Sequence, residues 1–121
     1  MGTSLTSQRG LISGITDSVD NGRSVAYTYD TLSRLSTALT TGSTNYPQWG
    51  LSWGYDRYGN RLNQTLTAGS GYQGSVQVTA ATNRINCIGG SGQNCTGGVV
   101  PTYDASGNMT YDGNNTLVYD A

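Results

Sequence analysis

The segment GYDRYGNRL, residues 54–62, reads as the end of one strand, a tight reversal and the start of the next. Asp56 can accept hydrogen bonds from backbone N–H groups two or three residues further on, closing an Asx-type turn. Gly59 stands three residues past it, where a hairpin bend often needs a positive φ, and Asn60 tolerates the left-handed region as well. Tyr55 falls at the end of the incoming strand. Its ring is expected over the sheet and its hydroxyl within reach of a neighbouring strand.

Outward from this segment the pattern repeats. Tyr-Asp pairs occur at Tyr29-Asp30, Tyr55-Asp56, Tyr103-Asp104, Tyr111-Asp112 and Tyr119-Asp120, so five of the seven acidic residues follow a tyrosine. YTYDTLSRL (27–35) and TYDASGNMT (102–110) have the same layout as residues 54–62, with Gly107 and Asn108 in the places of Gly59 and Asn60 and Ser33 replacing the glycine. ATNRI (81–85) keeps the second half of the pattern and has lost the Tyr-Asp. Taking Leu35, Leu62, Ile85 and Met109 as equivalent gives steps of 27, 23 and 24 residues, a repeat of about two dozen.

Around the turns, apolar and polar residues alternate with the period of two expected of strands with one wetted face. Val25, Tyr27 and Tyr29 share one such face, as do Leu51, Trp53 and Tyr55, then Leu35, Thr37 and Leu39, and Leu62, Gln64 and Leu66. The composition agrees. Thr, Ser, Asn and Gln make up 46 of 121 residues, every cation is Arg, every acid is Asp, and the helix formers Lys and Glu are absent. Leu, Ile and Val supply only 20 residues and Phe none, so a thin core is expected, held by backbone ladders and by nine Tyr and two Trp. The expected fold is all-β, built of stacked antiparallel β-hairpin repeats. Residues 1–22 read as an incoming strand with a divergent turn at Asp20-Asn21-Gly22, residues 23–121 as a module of about four units, and residues 86–98 as a glycine-rich insertion.

The residue inventory narrows function. With no His and no Lys, neither Cys nor Ser has a base partner, and the chain is not expected to be an enzyme. Asp104, Asp112 and Asp120 are spaced by eight but read as turn-closing acids of successive repeats. Neither cofactor nor metal is expected, because the oxygen-rich DASGNMTYDGNN stretch matches no calcium-loop pattern. A net charge of -1 offers no attraction to nucleic acid, and no apolar run could insert as a spanning helix. Cys87 and Cys95 flank a short glycine-rich loop and suit a disulfide in an oxidising compartment, two free thiols being the alternative. Trp49, Trp53 and Tyr58 belong to the densest aromatic cluster. Core packing is expected of them; exposed together, they would make a glycan-stacking surface. Arg34, Arg61 and Arg84 recur near the turns, where pairing with a repeat Asp or stacking on a Tyr is expected.

YDRYGNRL (55–62) and YDASGNMTYDGNNTLVYDA (103–121) resemble the tyrosine-aspartate, or Rhs, repeat family, and the resemblance extends over residues 23–121. It implies a β-strand spiral that stacks into a hollow wall in a secreted or cell-surface bacterial protein; members of the family include bacterial Rhs toxins, the shell component of insecticidal toxin complexes and animal teneurins. Neither the Rhs core nor a toxin domain is matched, so wall architecture is what transfers. The expected function is a structural scaffold module whose partners are neighbouring repeats of the same or identical chains, joining end to end as a filament. The alternative is a carbohydrate-binding or adhesion surface on the Trp/Tyr cluster, glycans then being the partner.

Overall fold

The structure, a computed structural model, describes residues 2–120. It is all-β: strands β1 (Thr3–Gln8), β2 (Leu11–Asp17), β3 (Val25–Tyr29), β4 (Leu35–Thr40), β5 (Gly50–Tyr55), β6 (Arg61–Ala68), β7 (Gly74–Thr79) and β8 (Arg84–Ile88) follow one another in chain order in an eight-stranded antiparallel sheet of consecutive hairpins. Strands β9 (Thr102–Tyr103) and β10 (Met109–Tyr111) form a separate two-stranded sheet. Two compact units are distinguished: Met1–Gly54 with Gln64–Gln73, and Tyr55–Asn63 with Gly74–Ala121.

In the first unit, residues 3–17 make two strands where the sequence reads one incoming strand. Arg9 and Gly10 (φ 54° and 77°) form the two-residue bend between them, with both central residues left-handed as a type I′ hairpin turn requires. After β2 the chain turns twice on aspartates. Asp17 Oδ1 accepts the N–H groups of Val19 (2.8 Å) and Asp20 (3.2 Å), and Asp20 Oδ1 accepts that of Gly22 (2.8 Å) at the start of a single 3-10 turn, Asn21–Arg23. Arg23 pairs with Asp17 (2.7 Å) and lies over the Tyr46 ring (5.4 Å), which anchors the β4–β5 loop. Gly22 permits this close approach: a Cβ there would meet the Ser43 backbone nitrogen at 2.7 Å.

The inward face of β4 differs from the expected Leu35, Thr37, Leu39 alternation. Tyr29 pairs with Leu35 but Thr28 with Thr37, so Ser36 is an extra residue. A bulge of this kind switches every later side chain to the other face. Ala38 and Thr40 therefore stand opposite Tyr27 and Val25 and are buried, while Leu39 is 42% exposed. Thr40 is buried without cost to its hydroxyl, which accepts the Trp49 N–H at 2.9 Å and donates to the Trp49 carbonyl at 3.1 Å. A bulge also follows two other reversals, at Asn86 (Val78 opposite Ile85, then Gln77 opposite Cys87) and at Thr110 (Tyr103 opposite Met109, then Thr102 opposite Tyr111).

The core is thin, as the composition implies: among the described residues the buried apolar side chains are Ala38, Cys87, Cys95 and Pro101. In the second unit the cysteines form a disulfide between β8 and the glycine-rich insertion. That insertion folds back on itself, with Ile88 opposite Val99 and Ser91 opposite Thr96. Gly90 and Gly98 allow the crossing, since a Cβ on Gly90 would sit 2.8 Å from the Cys87 sulfur and 2.8 Å from the Gly98 nitrogen.

Candidate functional site

The Tyr-Asp corners are the feature that recurs, and they share one hydrogen-bond plan. At Asp30, Asp56 and Asp104 the backbone N–H donates to the carbonyl four residues on (2.9, 3.0 and 2.9 Å), and the residue three on donates back to the Asp carbonyl (3.0, 3.2 and 3.1 Å). The carboxylate fills the loop so formed. Oδ1 of Asp56 accepts from Tyr58 N (2.8 Å) and Asn60 N (2.9 Å), and Oδ2 from Asn60 Nδ2 (2.8 Å). Asp104 repeats this with Asn108 N (2.9 Å) and Nδ2 (3.0 Å). At Asp30 the role of the amide passes to Arg34, whose Nε donates to Oδ2 at 2.7 Å.

The left-handed residue is Gly59 (φ 90°) and Gly107 (φ 92°) as the turn chemistry requires, and Ser33 takes the same region (φ 62°) despite its side chain. Asp112 closes a loop shorter by one residue, accepting from Asn114 N (2.8 Å), Asn115 N (2.7 Å) and Asn115 Nδ2 (3.2 Å), with Gly113 left-handed at φ 105°. The reversal at Thr79–Asn83, which lacks a carboxylate, bends differently. Asn83 N donates to the Thr79 carbonyl at 2.7 Å, and the left-handed residue moves to Asn83 (φ 53°). Deletion of the acid thus changes the turn and keeps the hairpin.

These bonds hold the carboxyls ionised. Asn60 amide donation depresses the Asp56 pKa, and Asn108 does the same for Asp104. The Arg34 backbone N–H lowers that of Asp30, and the Asn115 N–H that of Asp112.

The tyrosines act as fasteners. Tyr29 Oη donates to the Ile12 carbonyl (2.7 Å), Tyr103 Oη to that of Ile85 (2.9 Å) and Tyr119 Oη to that of Met109 (2.9 Å), each reaching a strand earlier in the chain. Tyr111, before the shorter loop, instead bonds its own turn at Gly113 (2.9 Å). Asp120 is exposed at the end of the described residues. Of the recurring arginines, Arg34 pairs with its corner Asp and Arg84 lies over the Tyr103 ring at 5.3 Å, while Arg61 is exposed.

The aromatic residues sort into separate settings. Trp53 is partly buried, its Nε1 donating to Gln64 Oε1 at 2.8 Å. Trp49 is 39% exposed and lines, with Leu51, Leu66 and Tyr72, a shallow groove of about 270 Å³. Tyr58 belongs to the other unit and lies under the Arg57 guanidinium at 4.6 Å. Tyr72, 72% exposed and in the sequence merely a lone aromatic in a glycine-flanked loop, is the wall of that groove which sequence reasoning missed. Among the described residues no three His, Cys, Asp or Glu side chains come together as a metal site. Compared with models of known protein families and with curated protein sequences, the chain matches none.

Proposed function

We propose that this chain is a structural β-repeat module of the Rhs type, a wall or scaffold element of a secreted or cell-surface bacterial protein, whose neighbours are further repeats of the same kind. The observation that carries the reading is the corner shared by Asp30, Asp56 and Asp104, in which one carboxylate satisfies the turn amides; before Asp30 and Asp104 the preceding tyrosine also ties back to an earlier strand. A unit built this way buries little by itself and gains its stability from the unit beside it. A sheet of consecutive hairpins presents unpaired N–H and C=O groups along its outer strand, to which a further strand can add. The disulfide between Cys87 and Cys95 suits an oxidising compartment.

Size-exclusion chromatography and electron microscopy of the purified chain over a concentration series test the end-to-end version of this reading. Elongated assemblies that grow with concentration are expected, and a strictly monomeric species at the highest concentration refutes it. The groove beside Trp49 and Tyr72 favours a second reading, a surface on which a neutral sugar stacks. A glycan array with Trp49→Ala as the control decides that: no binding, or binding indifferent to the substitution, eliminates it.

A further inference from the structure

Strands β2 and β3 pair only at Gly14–Ala26 and Ile15–Val25, although β2 starts at Leu11 and β3 runs on to Tyr29. Past Ala26 the strands part, and the Tyr29 hydroxyl spans the gap to the Ile12 carbonyl at 2.7 Å. The opening is a cavity of about 300 Å³ whose walls include Arg9, Leu11, Ser13, Tyr27 and Ser33. We propose that this opening is a binding site for a small monoanionic hydroxy-carboxylate. The proposal is independent of the scaffold reading and of the Trp49 groove.

Backbone conformation points to the cavity first. Four described non-glycine residues adopt a positive φ, and two of them, Arg9 (54°) and Ser33 (62°), line it. The first position of a type I′ turn favours Asn, Asp or Gly, and the counterparts of Ser33 are Gly59 and Gly107. At both places a side chain is kept where the backbone favours none, which is the kind of local strain retained at functional positions.

Charge and shape then define the ligand. Asp30 also lines the cavity and is already satisfied: Oδ1 accepts from Leu32 N and Arg34 N, each at 2.9 Å, and Oδ2 from Arg34 Nε at 2.7 Å. Arg9 forms no ion pair among the described residues, so its guanidinium is the charge left to a ligand. Arg9 could neutralise only one charge of a dianion and the Asp30 carboxylate would repel the other, whereas a single carboxylate matches the guanidinium fork. The Ser13 and Ser33 hydroxyls suit ligand hydroxyls, and Leu11 with the Tyr27 ring offers the carbon skeleton an apolar wall. The volume is at the lower end of small-molecule pockets and takes one small molecule.

Calorimetric titration of the full chain at low ionic strength with D-galacturonate, D-gluconate and neutral D-galactose tests this, using wild type, Arg9→Asn and Ser33→Gly. Arg9→Asn should weaken acid binding about tenfold or more, the loss expected for one charge-assisted pair, and Ser33→Gly by a smaller factor. Both variants should melt at higher temperature than wild type, because Asn and Gly tolerate the left-handed region. Weaker binding by a more stable protein separates loss of a ligand contact from loss of the fold. Binding of galacturonate alone identifies a ring sugar acid, of gluconate alone an open-chain acid, and of both the shared chemistry; all three support the site. Absence of binding by either acid at about 10 mM, well above the millimolar regime of weak sites, overturns the proposal. So does equal binding of galactose, or binding undiminished in Arg9→Asn.

Discussion

Replacing Cys87 and Cys95 together by alanine removes the covalent tie between β8 and the glycine-rich insertion. The cysteines are eight residues apart, and a loop of that length restrains the unfolded chain by about 2.5 kcal/mol at 25 °C. Both side chains are buried, 1% and 6% exposed, so losing each sulfur adds a penalty comparable to a methylene, about 0.8 kcal/mol. The double variant should therefore lose roughly 4 kcal/mol, a large part of the 5–15 kcal/mol typical of a domain. Reduction of the wild type keeps the sulfurs and should cost only the first part. At about 4 °C per kcal/mol for a chain of this size, the melting temperature should fall by about 10 °C on reduction and about 15 °C in the double variant. Thermal unfolding followed by circular dichroism reads both shifts. Hydrogen exchange localises them, the first amides to lose protection being Ile88, bonded to Val99, and Gly89, bonded to Ser75. A fall of less than about 3 °C on reduction would refute the argument, since no plausible residual structure in so glycine-rich a loop absorbs that much of the entropy.

Three further outcomes follow from the corners. The depressed pKa values of Asp30, Asp56, Asp104 and Asp112 mean that the folded chain holds these carboxyls ionised below their usual 3.8. Their contribution is thus present above that value and is lost as pH falls through the folded pKa. With no His, the melting temperature should stay level from about pH 7 to pH 5 and drop below about pH 4, and an Asp56→Asn/Asp104→Asn variant should flatten that drop. Gly59→Ala puts a Cβ on a left-handed residue and should cost about 1–2 kcal/mol in chemical denaturation, although nothing crowds the site; no effect would contradict the turn assignment. Tyr103→Phe leaves the Ile85 carbonyl without its donor and should cost about 1 kcal/mol by the same assay.

The corners were legible because their chemistry is local. Asp56, Gly59 and Asn60 lie within one turn, and a carboxylate spaced this way from free amides permits few conformations. Asp17 was not singled out, although it closes a turn by the same means, since neither Tyr before it nor Gly after it marks the place. The hairpin at Arg9-Gly10 was hidden for a related reason: Arg is an unusual occupant of the first left-handed position. The Leu39 face was misassigned because a bulge adds a residue without altering the polar and apolar alternation that the sequence displays.

By itself the sequence determined that the chain is β, that it repeats about every two dozen residues and that its Tyr-Asp reversals close on aspartate, because strand alternation and Asx turns depend on residues within a few positions of one another. Only the tertiary structure decided what stands opposite what. It placed Ala38 rather than Leu39 inward, brought Cys87 against Cys95, joined Trp49 to Tyr72 and parted β2 from β3 beside Arg9. Register and strand separation are set by pairings across the sheet, between residues whose spacing along the chain carries no signal of their contact.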